Sequence, residues 1–145
     1  MLKTVALATA IAVGVSGAAA AKIVRWSANL DAAQEVGVKV PVAGAKGTAT
    51  GTLNTVTRKL TWDVTWSGLS GPADAMHFHG PAPKGKDARV VVNIGKDSGL
   101  KSPSKGSTKL SAKGVKELEE GLLYVNVHTK ENPGGEIRGQ VEVVK

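Results

Sequence analysis

Three histidines are the only imidazoles in this 145-residue chain. Two of them sit two residues apart in Met76-His77-Phe78-His79-Gly80-Pro81. The third, His128, lies in Leu123-Tyr124-Val125-Asn126-Val127-His128-Thr129. Residues i and i+2 of an extended strand point to one face. If both stretches are strands, His77 and His79 project side by side and His128 can meet them from a second strand. Three neutral imidazoles are a competent ligand set for Cu or Zn, with a water or carboxylate in the fourth position. Imidazole also suits an oxidising compartment, where thiolate ligands are at risk. Asp74, three residues before His77, and Glu136, at the head of a late strand, are candidates to supply an oxygen ligand or to hold an imidazole in place. The competing expectation is that the histidines are hydrogen-bonded structural residues. His77 or His79 would then anchor the Pro81-Ala82-Pro83 loop, and His128 would cap the turn at Asn132-Pro133-Gly134-Gly135.

Other chemistry finds no support in the chain. It has no Gly-x-Ser-x-Gly elbow, phosphate loop or His-Glu-x-x-His helix. Glu136 with Asp74 would be a glycosidase pair without the aromatic lining of a sugar cleft. No residue is assigned a catalytic role. Tyr124, Asn126, Glu136 and Arg138 share the polar faces of their strands, where ordinary cross-strand pairing accounts for them.

The elements that must position the histidines are short strands. The chain has 18 Gly and 6 Pro, and between these turn residues lie runs with period-two alternation. Strands are expected near Ile23–Leu30, Gly47–Leu53, Arg58–Ser67, Ala73–His79, Ala88–Ile94, Leu122–Thr129 and Glu136–Val143. The clearest is Arg58–Ser67, with Leu60, Trp62, Val64 and Trp66 on a core face. Its tryptophans are a large hydrophobic anchor. The last two strands, joined at Asn132-Pro133-Gly134-Gly135, read as a hairpin. Ser111–Glu120 is the one helix expected, with Ser111 as N-cap and Gly121 as stop. Gly95–Gly106 reads as a polar, mobile loop. The fold class is therefore all-β: an antiparallel β-sandwich, Greek-key-like, or a closed barrel, of about seven to eight short strands with one short helix.

Residues 1–21 read as a secretory signal peptide. Lys3 precedes an apolar run from Val5 to Val15, and Ala18–Ala21 supplies the small residues of a cleavage site. The run is well short of the roughly 20 residues needed to span a bilayer, so no integral span is expected after cleavage. Residues 22–145 form a single domain of about 124 residues, enough for a real core. The chain has no cysteine, so packing and hydrogen bonds, helped by any metal, must hold it together. The net charge is +7 at pH 7, with the lysines scattered through Gly/Ser/Pro segments. That pattern serves general solubility and permits a protein or anionic surface as partner, such as glycans or lipid head groups. It lacks the aromatic and basic platform of a nucleic-acid binder.

Several blocks carry a resemblance along almost the whole mature length. They are Asn29-Leu30-Asp31-Ala32-Ala33-Gln34-Glu35 with Val40-Pro41-Val42; Gly47-Thr48-Ala49-Thr50-Gly51-Thr52-Leu53; Leu60-Thr61-Trp62-Asp63-Val64; Ala75-Met76-His77-Phe78-His79-Gly80-Pro81-Ala82; Gly121 to Thr129; and Asn132 to Gln140. In this order and spacing the chain resembles the CHRD domain of chordin and of bacterial secreted proteins. The resemblance implies a β-sandwich in a secreted or periplasmic protein and no established enzymatic activity. A more distant similarity is to copper/zinc superoxide dismutase, a β-sandwich with a His-x-His strand and a late ligand histidine. Mapped onto this chain, these are His77, His79 and His128. The fourth, bridging histidine and the disulfide of that enzyme have no counterpart here. Three functions follow as expectations: a non-catalytic binding or structural module, a metal-binding periplasmic protein holding Cu or Zn through the three histidines, and a minor dismutase-like redox activity.

Overall fold

The computed structural model describes residues 20–145, so the expected signal peptide lies almost wholly outside the described residues. Nine strands form the fold: β1 (Ile23–Asp31), β2 (Lys46–Asn54), β3 (Lys59–Ser67), β4 (Ala73–His79), β5 (Val90–Asn93), β6 (Ser104–Lys109), β7 (Tyr124–Thr129), β8 (Ile137–Gln140) and β9 (Glu142–Val144). Two helices join them, α1 (Ile94–Ser98) and α2 (Ala112–Glu119), with a 3-10 turn at Ala32–Gln34. The all-β, antiparallel class is the one expected. The strands do not separate into two sheets, however. They run in one hydrogen-bonded order, β5-β4-β7-β8-β1-β2-β3-β6, and the sheet is nearly closed into a barrel.

Alternation along each strand builds the interior. Val24, Trp26, Ala28 and Leu30 of β1, Leu60, Trp62 and Val64 of β3, Met76 and Phe78 of β4, and Val125 and Val127 of β7 are all buried in one cluster. Phe78 lies edge-on to Trp26 at 5.3 Å and to Trp62 at 6.1 Å between ring centroids, the geometry aromatic quadrupoles favour. Trp66, expected on the same face, is only half-buried at the strand end. The indoles dictate what can sit beside them. Gly51 is paired with Trp26 across β1 and β2, and a Cβ there would lie 2.7 Å from the Trp26 ring and 1.9 Å from the Thr61 carbonyl. Gly106 of β6 faces Trp62 in the same way, at 2.7 Å.

That packing explains where the sequence expectation fails. The stretch Gly95–Gly106 is not a loop: it holds the rest of α1 and the start of β6. Gly106 must be small because Trp62 fills the space above it, and Ser104 is committed to hydrogen bonds with Ser98 and Gly99. The strand therefore carries no apolar alternation. Helix α1 starts where the Asn93 side chain accepts the Lys96 N–H, a capping interaction. It packs against β6, at one end of the sheet order, and against β4, one strand in from the other end, and Ser98 Oγ accepts the Trp62 indole N–H at 2.9 Å. Helix α2 begins after the N-cap Ser111, as expected. The last expected strand is split at Val141: β8 pairs with β7, and β9 pairs with β1.

Among the described residues no helix is long and apolar enough to cross a membrane. Gly51→Ala is expected to destabilise the fold by about 1–3 kcal/mol through overpacking, seen as a lower urea midpoint with an unchanged slope. An unchanged midpoint would mean that Trp26 and Thr61 yield without cost.

Candidate metal centre

The register of β4 and β7 decides whether the histidines meet. His77 is opposite Asn126, His79 opposite Tyr124, and Ala75 opposite His128. Side chains directly across an antiparallel pair share a face. His77, His79, Tyr124, Asn126 and His128 therefore project together, away from Met76, Phe78, Val125 and Val127 in the interior. A ring nitrogen of each histidine lies within 4.8 Å of one on each of the others. His77 Nδ1 and His128 Nε2 are 3.1 Å apart, close to the roughly 3.3 Å expected between tetrahedral ligands about 2.05 Å from one metal. His79 is the outlying member, its ring centroid 5.3 Å from that of His77 and 5.9 Å from that of His128.

Two backbone carbonyls set the tautomers. His79 Nδ1 is 3.0 Å from the Ala88 carbonyl oxygen, and His128 Nδ1 is 2.9 Å from that of Pro133. A carbonyl only accepts, so each Nδ1 must carry the proton and donate it. Each Nε2 is left with a free lone pair. His128 Nε2 then accepts from His77 Nδ1–H, because two bare lone pairs would repel. His79 Nε2 is buried and has no hydrogen-bond partner. Such an orphaned buried acceptor calls for an explanation, and a metal ion is a chemical complement to it.

Electrostatics keeps the imidazoles neutral. Burial pushes the pKa of His77 down to about 4, with further repulsion from His128 and His79. Burial also lowers His79 and His128, outweighing the hydrogen bonds to Ala88 and Pro133 that favour their charged forms. Neutral imidazoles are the ligand-competent form.

The supporting residues differ from those sequence reasoning singled out. Asp74 is exposed and makes no hydrogen bond to the imidazoles; its charge acts on His128 from a distance. Glu136 is fully buried and is held by Ser70 N and Ser70 Oγ at 2.6 Å, Thr129 Oγ1 at 2.5 Å and Asn132 Nδ2 at 3.1 Å. Burial pushes its carboxyl up, but these bonds outweigh that and leave its pKa lowered. Glu136 thus fixes the turn that presents the Pro133 carbonyl to His128, without touching a histidine.

Residues assigned to ordinary strand pairing form the rest of the wall. The Tyr124 ring stacks flat on His79, with centroids 5.0 Å apart and planes 5° apart. The Arg138 guanidinium lies over the Tyr124 ring, 3.5 Å from its centroid, a cation–π contact. Arg138 also bonds Asp87 Oδ1 at 3.3 Å, and Asn126 donates to Glu35. Gln140 donates to the carbonyls of Ala82 and Gly121 at 2.8 Å. The parity of Tyr124, Asn126, Arg138 and Gln140 was visible in the sequence. Their burial was not, because Glu35 and Asp87 come from distant loops.

The CHRD domain family model matches residues 26–141, and the chain belongs to that family. No curated protein matches the chain, and no solved structure does, so the likeness to superoxide dismutase rests on the sequence alone.

Two outcomes test this geometry. An unfolded histidine takes its proton near pH 6.5, whereas folded His77 resists until about 4. The unfolded chain thus binds more protons in that window, and stability falls as pH drops through it. Urea midpoints of the metal-free protein are expected to decline from pH 6.5 to 4, and His77→Gln to make the decline shallower; a flat wild-type profile would contradict the burial. Glu136→Gln is expected to cost about 1–3 kcal/mol at pH 7, since it loses charge-assisted bonds and sets an amide donor against Ser70, Thr129 and Asn132. An unchanged midpoint would show that the turn does not depend on the carboxylate.

Proposed function

With membership of the CHRD domain family as the premise, we propose that this chain is an exported, non-catalytic module that binds one Cu or Zn ion through His77, His79 and His128. CHRD domains are typically extracellular or secreted, which agrees with the signal-like residues 1–21. The observation that carries the reading is the orphaned His79 Nε2 beside the His77–His128 pair at 3.1 Å. The ligand atoms are His79 Nε2, His128 Nε2 and His77 Nδ1. Binding through Nδ1 requires the His77 proton to move to its own Nε2. The three imidazoles bring no charge, so the ion keeps its full positive charge and recruits water or an external anion as fourth ligand.

The alternative is a module in which the histidines are structural alone, and the bonds to Ala88 and Pro133 favour it. Both carbonyls occupy the Nδ1 atoms of His79 and His128, however, and leave the Nε2 atom of each unprotonated. Metal uptake separates the two readings. The metal-free protein is expected to bind about one equivalent of Cu(II) or Zn(II) at pH 7, and a variant with His77→Ala, His79→Ala and His128→Ala to bind none. Free metal at about 100 times Kd should stabilise the fold by about 2.7 kcal/mol. The bound ion should leave as pH falls to about 4, where His77 itself takes a proton. No uptake, or equal uptake by the triple variant, would return the histidines to a purely structural role. Superoxide turnover by the copper-loaded protein decides the dismutase-like alternative.

A further inference from the structure

The sheet is nearly closed, and the gap in it lies between its terminal strands, β5 and β6, which do not pair with each other. Helix α1 fills one end of this seam. Its Ser98 Oγ is 2.7 Å from Ser104 Oγ, and a Cβ on Gly106 would lie 2.9 Å from the Ser98 Cβ. Past α1 the seam stays open as a groove of about 440 Å³, with Val91, Val92 and Leu110 among its lining residues. Leu110 and Val92 belong to the core cluster and Val91 packs against it, so the groove reaches the apolar interior.

The β6 edge of the groove carries unused main-chain groups. The Leu110 N–H donates to the Arg58 carbonyl at 2.9 Å, and Thr108 is opposite Leu60 on β3, with Lys109 opposite Lys59. Hydrogen-bonded and non-hydrogen-bonded pairs alternate along an antiparallel ladder. Thr108 and Leu110 therefore turn their N–H and C=O groups to β3, and Ser107 and Lys109 turn theirs to the seam. The same register sets two lysines directly across from each other, in the closer-packed kind of pair, where like charges repel. Arg89, Lys96 and Lys109 stand on the lining with a single carboxylate, Asp97. All four are exposed. Among the described residues none of these three cations, nor Lys59, takes part in an ion pair; the carboxylates that do are bonded to other lysines or to Arg138.

We propose that the seam takes up an extended, acidic segment of a partner protein, which adds to the free edge of β6 as a further strand. Main-chain bonds to Ser107 and Lys109 supply affinity, and the side chains supply choice of partner. Because an added strand keeps the period of two, its carboxylates fall beside Lys109, where they offset the repulsion from Lys59, and its alternate residues face inward toward Leu110 and Val92. The four residues of β5 set the length of segment that fits. A second copy of this chain is a poor occupant, since the chain carries a net charge of +7 and lysines on an edge discourage pairing between copies. The seam uses no histidine and no metal, so it stands or falls apart from the metal reading.

The test is an NMR titration of the metal-free protein with a blocked pentapeptide of alternating glutamate and valine, following the Ser107 and Lys109 amides. Saturable shifts of both are expected. The same peptide N-methylated at each residue, which cannot donate to a strand edge, should not bind. A peptide of the same composition with its glutamates first and its valines last should bind about tenfold more weakly, because it cannot present one charge row and one apolar row. Lys109→Glu should weaken binding of the alternating peptide by at least about tenfold and yet raise the urea midpoint, since it replaces a repulsion with an ion pair to Lys59. Absence of saturable shifts, or equal binding of the N-methylated or reordered peptide, would overturn the proposal. Shifts of the same amides on concentrating the protein without peptide would also overturn it, by assigning the seam to a second copy.

Discussion

The pairing of β4 with β7 is the constraint on which the rest of the structure depends. It places Ala75 opposite His128 and His77 opposite Asn126. A slip of one residue would turn every β4 side chain to the other face, driving two imidazoles into the cluster around Trp26 and Trp62 and exposing Met76 and Phe78. The hydrophobic contacts of Phe78 with both indoles therefore hold the histidines in register. Stability on the inner face specifies chemistry on the outer one.

The outer face is a second buried layer, made of polar groups. Every residue of β7 and β8 is buried on both sides. Such a layer is tolerable only if its groups satisfy one another. Most do: Gln140 by the carbonyls of Ala82 and Gly121, Glu136 by Ser70, Thr129 and Asn132, Arg138 by Asp87 and the Tyr124 ring. On this wall the exceptions are His79 Nε2 and Asn126 Oδ1. The two expectations for the histidines turn out to concern different atoms. Nδ1 of His79 and of His128 is structural, anchoring a loop and capping a turn, and that anchoring is what leaves each Nε2 unprotonated.

Much of this was legible in the sequence. Strand β4 has the limits that its alternation indicated, and β7 and β8 form the hairpin that Asn132-Pro133-Gly134-Gly135 announced. The i, i+2 parity put His77 and His79 on one face, and the β4–β7 register, which no local pattern reports, brings His128 to them. What stayed hidden depended on tertiary packing. Strand β6 has no apolar face because Trp62 requires Gly106 beneath it. Asn126, Tyr124 and Arg138 read as ordinary cross-strand pairs because the residues that bond to Asn126 and Arg138, Glu35 and Asp87, lie 91 and 51 residues away respectively. A local pattern reports which face a side chain takes, not what will be folded over it.

The central claim is that two backbone carbonyls preset the lone pairs of the site. The most direct measurement is the tautomeric state of each histidine in the metal-free protein at pH 7, read from the nitrogen chemical shifts and long-range proton–nitrogen couplings of the rings. The account predicts the Nδ1–H form for His79 and for His128, with both Nε2 atoms unprotonated. An Nε2–H form at either residue would contradict it, because the lone pair would then point at the carbonyl and no ligand atom would face the centre.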